Sequence, residues 1–163
     1  MIEHSELLKQ LSYDPTTGIF TRIKSCPGFK VGKIVGCKRK DGYLVTTFQK
    51  KFFYVHRLAW FYVYKEMPSD LIDHINGIRN DNRIENLRVV THPQNAQNAK
   101  HHKDNRSGLK GAYWHKANKN WRSSILVNGK KIDLGSFKSA IDAHQAYVEA
   151  SKKHQTHGIY KNV

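Results

Sequence analysis

The chain is poor in cysteine, proline and acidic side chains. Among 163 residues there are two cysteines, four prolines and 13 Asp+Glu. Cys26 and Cys37 form no Cys-x-x-Cys pair, so a cysteine-rich structural zinc site is excluded by count, and without a sign of an oxidising compartment no structural disulfide is expected. No apolar run approaches the roughly 20 residues of a membrane-spanning helix. The polar, acidic stretch from Met1 to Leu11 lacks the character of a signal peptide. Against these acids stand 28 Lys+Arg, giving a net charge of +15 and a pI ≈ 9.9. Such a balance favours a polyanionic partner, nucleic acid first and an anionic membrane surface second. With 39% hydrophobic residues the chain is still globular in composition, and its length allows one ordinary domain or two small ones.

The N-terminal third reads as a short helix over Ser5–Leu11, a turn at Tyr13-Asp14-Pro15-Thr16-Thr17-Gly18, and a strand over Ile19–Ile23. Gly28, Gly32 and Gly36 interrupt the next stretch. Lys38-Arg39-Lys40-Asp41-Gly42 is a basic hairpin turn leading into strands Tyr43–Phe48 and Phe52–Val55, with Lys50-Lys51 between them. A small antiparallel meander with basic tips follows. Those tips suit either plain solvation or phosphate contact.

His56–Lys65 carries apolar residues densely enough for a largely buried helix, which Met67-Pro68 should end. His56 is expected in a structural, hydrogen-bonded role, and Arg57 is a candidate DNA contact. Then come a short strand Leu71–Ile75, the turn signal Asn76-Gly77, a polar loop with Arg79 and Arg83, and a second strand Leu87–Val90. Thr91-His92-Pro93-Gln94 has the form of a capping box and should open a helix to about Lys100, with Asn95 in its first turn. Asp73-His74 at the end of one strand and Asn95 at a helix start can serve one metal site. Singly, each of these residues is ordinary; their joint spacing on a basic chain is informative.

Asp73-His74, Asn86 and Asn95, set among Asn76-Gly77 and Glu85-Asn86-Leu87-Arg88, resemble the HNH endonucleases of phage and homing type. Tyr13–Gly18 and His56-Arg57-Leu58-Ala59 match the usual lead-in, so the resemblance covers roughly the first hundred residues. It implies the ββα-metal fold, with Asp73 and Asn95 as oxygen ligands of one divalent cation. Two hard oxygens plus water and phosphate suit Mg²⁺, with Mn²⁺ able to substitute. The resemblance makes His74 the general base, with Asn86 as structural support that hydrogen-bonds across the hairpin to hold it, and products bearing 5′-phosphate and 3′-hydroxyl ends. Arg79 or Arg83 would clamp the phosphate. The final motif position is Asn95 rather than histidine, as in the asparagine-ended branch of that family. The resemblance also implies a phage or mobile-element protein acting in the cytoplasm of a host cell.

Beyond residue 100 the charge rises: residues 101–163 hold 12 Lys+Arg against 4 Asp+Glu, whereas residues 51–100 hold 7 against 5. Lys110–His115, Trp121–Val127 and Lys130–Leu134 read as three strands, Asn128-Gly129 as a hairpin turn, and Gly135 as a break. Ser139–Asp142 opens a helix with small Ala143, Ala146 and Ala150 beside Tyr147. Lys110-Gly111-Ala112-Tyr113, Trp121, Leu134-Gly135-Ser136-Phe137 and Ala143 through Tyr147 resemble the AP2 DNA-binding domain over about residues 107–158. That likeness implies a sheet entering the major groove, with Lys110, Tyr113, Trp114, His115, Arg122, Ser124, Lys130 and Lys131 as candidate contacts. Trp121 suits either core or contact. Tyr113 and Asp133 stand where plant members often carry arginine and tryptophan, so no base code is legible.

The whole is expected to be an α+β chain. Residues 1–100 form an HNH nuclease module with N-terminal antiparallel strands, residues 101–107 a basic linker, residues 108–158 a three-stranded antiparallel sheet plus helix, and residues 159–163 a tail. The expected partner is double-stranded DNA, without membrane or small-molecule cofactor, engaged by a monomer or a DNA-induced dimer. The competing readings are a DNA-binding regulator without catalysis and an RNA-binding or RNA-cleaving protein, the latter prompted by Tyr and Trp residues able to stack on bases.

Overall fold

A computed structural model describes residues 2–28, 30–98 and 105–154. His101 and His102, most of the expected linker and the whole expected tail lie outside the described residues. The chain is α+β, with several small antiparallel sheets. It divides into two compact units, Met1–His92 and Pro93–Val163.

In the first unit α1 (His4–Gln10) is followed directly by β1 (Leu11–Asp14) and β2 (Ile19–Arg22), which form a hairpin with β3 (Ile34–Val35) on its far edge. Strand β1 takes the place of the helix end at Leu11 and the turn from Tyr13 that the sequence pattern predicts. Its alternation, with Leu11 and Tyr13 buried and Ser12 and Asp14 exposed, lasts only four residues. That is too short to distinguish from a helix end. The meander forms as expected, β4 (Cys37–Lys38), β5 (Leu44–Phe48) and β6 (Lys51–Tyr54) lying in that order. Its second turn places both Gln49 and Lys50 at positive φ, 49° and 62°.

Helix α2 (Val55–Tyr64) buries Val55, Leu58, Ala59 and Phe61 on one side. It stops earlier than Met67-Pro68. Lys65 turns left-handed and its N–H closes on the Phe61 carbonyl at 3.0 Å, the backbone geometry that satisfies a helix C-terminus. Leu7, Leu11, Phe20 and Leu58 are at most 1% exposed and join α1, α2, the hairpin and the meander into one core. Ile72 and Leu87 extend it beneath β7 (Leu71–His74) and β8 (Leu87–Val90), an antiparallel pair with Asp73 opposite Arg88 and His74 opposite Leu87.

Helix α3 (His92–Asn98) starts at the boundary between the units. In the second unit β9 (Ala112–His115), β10 (Asn120–Val127) and β11 (Lys130–Phe137) form a sheet in the order β11-β10-β9, and α4 (Ala140–His154) packs on it. The Ser139 hydroxyl accepts the Asp142 N–H at 3.1 Å and caps α4. Gly135 does not end the strand. At φ 108° it lets β11 bulge opposite Ser123/Ser124 and continue to Phe137. Among the described residues no helix is long and apolar enough to cross a membrane.

Candidate functional site

Asp73 and His74 are the last two residues of β7 and both are buried, 7% and 3% exposed. Burying a charged and a polar side chain demands partners. For Asp73 the structure supplies Arg88 on the neighbouring strand, whose Nε and Nη2 both donate to Asp73 Oδ2 at 3.0 and 2.7 Å. Arg57 steadies the entry to the strand. Its guanidinium donates to the carbonyls of Asp70 and Pro68, both at 3.1 Å. It is therefore committed to a backbone brace rather than turned outward as the expected DNA contact.

His74 Nε2 lies 3.3 Å from the Oδ1 of Asn82, a side chain only 1% exposed. With Oδ1 as acceptor, Nε2 carries the proton and Nδ1 is the basic nitrogen of the neutral ring. The ring is walled by His56 in an edge contact at 5.2 Å and by Tyr43 at 5.8 Å. Burial holds the His74 imidazole below its ordinary pKa, while the Asn82 bond and the Asp73 charge pull in the opposite direction. The ring stays neutral near pH 7, the state a proton acceptor requires.

His56 differs from the expected hydrogen-bonded histidine. It is 7% exposed, stacks on Tyr54 at 5.3 Å, and its Nδ1 has no hydrogen-bond partner. Burial, then the neighbouring His74 and Arg57, bring its pKa down to about 3. An unfolded imidazole, near ~6.5, takes up its proton first. Stability from this group is therefore full above about pH 6.5 and declines as pH falls toward its folded value, by about 2 kcal/mol at about pH 5. Urea midpoints should drop between about pH 7.5 and pH 5, and drop less in His56→Phe; equal slopes in both proteins would refute this origin.

Asn86, the expected structural support that hydrogen-bonds across the hairpin, makes its side-chain bonds to the loop backbone. Asn86 Oδ1 accepts the Asn76 N–H at 3.0 Å and its Nδ2 donates to the Asp81 carbonyl at 2.8 Å. It ties the two ends of the β7–β8 loop, and Asn82 is the asparagine that meets the histidine. The loop is held from behind by the turn after β1. Tyr13 Oη donates to the Asn82 carbonyl at 2.7 Å, and Gly18 lies against the Asn82–Arg83 backbone. Asp14 shapes that turn by accepting from Thr16 N, Thr16 Oγ1 and Thr17 Oγ1, which lowers its carboxyl to about 2.

The arginines proposed as phosphate clamps are differently disposed. Arg83 spans Asp81 and Glu85, at 2.8 Å to each, so its charge is already compensated. Arg79 is exposed, lies 5.1 Å over the Tyr43 ring and donates to the Asp41 carbonyl at 2.8 Å, joining the basic hairpin tip to the loop after His74. Asn95 sits exposed on α3.

In the second unit, strand parity divides the candidate contacts. Ala112, Ser123 and Ile125 are at most 1% exposed and mark the face covered by α4. Tyr113 pairs with Arg122, His115 with Asn120, Ser124 with Asp133, and Lys131 with Leu126. By alternation Tyr113, His115, Arg122, Ser124 and Lys131 occupy the face away from α4. Trp114 pairs with Trp121 and Lys130 with Val127, on the α4 side. The two indoles contact each other edge-on at 5.3 Å, so Trp121 belongs to the packing there. Lys110 is half-buried; its amine donates to the Gln97 carbonyl at 2.8 Å and burial lowers its pKa to about 8. Burial and one-face geometry thus remove Lys110, Trp114 and Lys130 from a contact set on the far face. Arg122 there is ion-paired with Asp133.

Residues 53–97 match the family model of the HNH endonucleases. The matched stretch runs from β6 to α3 and contains Asp73, His74, Asn86 and Asn95. The chain is also 40% identical over 65 residues to "Protein 3.8" of Escherichia phage T7. That alignment covers 40% of this chain and 54% of the relative, so the chain spans about half the relative's length. No solved structure matches.

Arg88, Asn82 and Tyr43 escaped assignment from the sequence. Only Arg88 had a usable signal, since an arginine one residue past the end of Asn86-Leu87 can face Asp73 once the two strands are paired in register. Asn82 in a polar loop and Tyr43 after a glycine look like surface residues until the chain folds.

Proposed function

We propose that the chain is a divalent-cation-dependent DNA endonuclease whose cleavage site is built on Asp73 and His74. The observation that carries this reading is the buried His74 ring, oriented by Asn82 and placed beside the Asp73 carboxylate, within a segment of HNH type. HNH nucleases generally use divalent metal ions. Asp73 offers a hard oxygen, while no group of three or more His, Cys, Asp or Glu is gathered for a metal among the described residues. This donor chemistry fits a cation that keeps most of its ligands as water and phosphate, as Mg²⁺ does, with Mn²⁺ as substitute, and not a closed zinc site. Asn95 is assigned as the second oxygen ligand on the family resemblance. A bound cation would stabilise charge on the phosphate and on the departing oxygen.

The chain's own residues supply the remainder. His74 Nδ1 accepts a proton from the attacking water as its oxygen bonds to phosphorus. The bond from phosphorus to the 3′ oxygen breaks, that oxygen takes a proton from solvent water, and the other fragment keeps a 5′-phosphate. Asn82 holds the ring's tautomer. Asn86 holds the loop. Arg79, exposed at the rim, is the arginine suited to meeting DNA. The second unit, resembling an AP2 domain, binds duplex DNA through Tyr113, His115, Arg122, Ser124 and Lys131. One site per chain cleaves one strand.

A second reading, nucleic-acid binding without cleavage, is favoured by the Arg88 contact on Asp73 and the 3% exposure of His74. A supercoiled-plasmid assay separates the two. Nicking with Mg²⁺ or Mn²⁺, abolished by EDTA and weakened in Asn95→Ala, is the expected result. Retarded but intact plasmid under every condition would overturn the nuclease reading.

A further inference from the structure

Arg88 stands opposite Asp73 across β7 and β8. Two of its nitrogens converge on a single carboxylate oxygen, and the pair is mostly shielded, with side chains 20% and 8% exposed. Nothing in the cleavage chemistry above uses this arginine. On the nuclease reading, which this inference rests on, Asp73 must also serve a divalent cation. A cation approaching that carboxylate meets charge already compensated and a fixed positive group beside it. The two demands on Asp73 conflict unless the guanidinium has somewhere else to go. A planar guanidinium binds phosphate oxygens as well as carboxylate oxygens, in the same forked geometry. The substrate brings such a phosphate to this carboxylate.

We infer that Arg88 makes cation binding conditional on DNA. In the free protein its guanidinium neutralises Asp73 and keeps divalent-cation affinity low. A phosphodiester seated at the site offers the guanidinium a second anion and releases Asp73 to the cation. Because linked binding is reciprocal, DNA tightens the cation and the cation tightens DNA by the same factor. The device keeps the site from loading fully before a substrate is present.

The test measures Mn²⁺ binding by electron paramagnetic resonance on the full chain carrying His74→Ala, which slows turnover enough for a binding measurement. A short duplex is added or omitted, and the duplex alone is the blank. The expected results are about a tenfold or greater gain in Mn²⁺ affinity on adding duplex, and a comparable gain without duplex when Arg88→Gln is introduced. Arg88→Lys, which keeps the charge, should stay near the parent value. Circular dichroism checks that each variant is folded. Mn²⁺ affinity that duplex leaves unchanged overturns the coupling whatever the variants do. An unchanged or weaker affinity in folded Arg88→Gln overturns the role of Arg88. Either result alongside metal-dependent cleavage by the native chain leaves the nuclease reading standing. Mn²⁺ binding insensitive to Asp73→Asn, together with no cleavage by the native chain, overturns the nuclease reading and this inference with it.

Discussion

His74→Ala should lower the rate of plasmid nicking about 10³-fold while leaving DNA retardation nearly unchanged. Removing a positioned general base commonly costs 10²–10⁴ in rate, and on the proposed reading His74 is that base, held on several sides. Its Nε2 is held at 3.3 Å from Asn82 Oδ1, and His56 and Tyr43 wall the ring. The side chain is 3% exposed, so it contributes little to the electrostatic attraction that dominates DNA affinity on a chain of net charge +15. A kinetic split follows, with the catalytic constant falling and apparent DNA affinity preserved. Circular dichroism of the variant should match that of the parent. Nicking at the parental rate in a folded His74→Ala protein would remove His74 from the chemistry. A parallel loss of DNA retardation would point instead to misfolding around β7.

Gly18→Ala should be the most destabilising single-methyl change in the first unit, by about 3–4 kcal/mol. Gly18 has φ +72°, and a Cβ built there falls 2.4 Å from Arg83 N and 2.5 Å from Asn82 C. A left-handed conformation costs an L-residue roughly 1–2 kcal/mol, and forcing extra volume against packed neighbours typically costs about 1–3 kcal/mol more. The obstructing atoms are backbone and cannot rotate away, so the β7–β8 loop must move. That displacement carries Asn82 off His74, and nicking should fall along with stability. Gly28→Ala is the control. Its φ is +82° and no atom lies within 4 Å of the added carbon, so it should cost only the conformational term, about 1–2 kcal/mol. Urea unfolding of both variants decides the matter; equal destabilisation would mean that the contact with the Asn82–Arg83 peptide is not a buttress.

Local pattern decided much of the architecture. Alternation and turn chemistry placed the meander and the sheet of the second unit, and the Asn128-Gly129 turn forms with both residues at positive φ, 49° and 77°. These features depend on neighbours a few residues apart, which a linear reading can see. Dense apolar residues placed α2, but its last turn was set by Lys65 adopting a left-handed cap, a backbone choice that no side-chain pattern announces. Composition favoured a polyanionic partner, because net charge is a sum and needs no coordinates.

The roles of individual polar residues required the tertiary structure. Asp73 and His74 were recognisable by their spacing from Asn86 and Asn95. Yet among the described residues the side chain hydrogen-bonded to His74 is Asn82, and the arginine on Asp73 is Arg88, 15 positions along the chain. Strand register brought Arg88 across from Asp73. The Tyr13–Asn82 hydrogen bond and the close fit at Gly18, between residues more than 60 positions apart, hold the Asn82 backbone where its side chain meets His74 Nε2. Likewise Arg57 and Arg83 looked equivalent to Arg79 as basic residues near a site. Folding gave the first two backbone and carboxylate partners and left Arg79 at the surface. A buried polar group must be satisfied by whatever the fold brings near it. The chain's own order can say which residues are polar, but only the packed structure decides which of them answer one another.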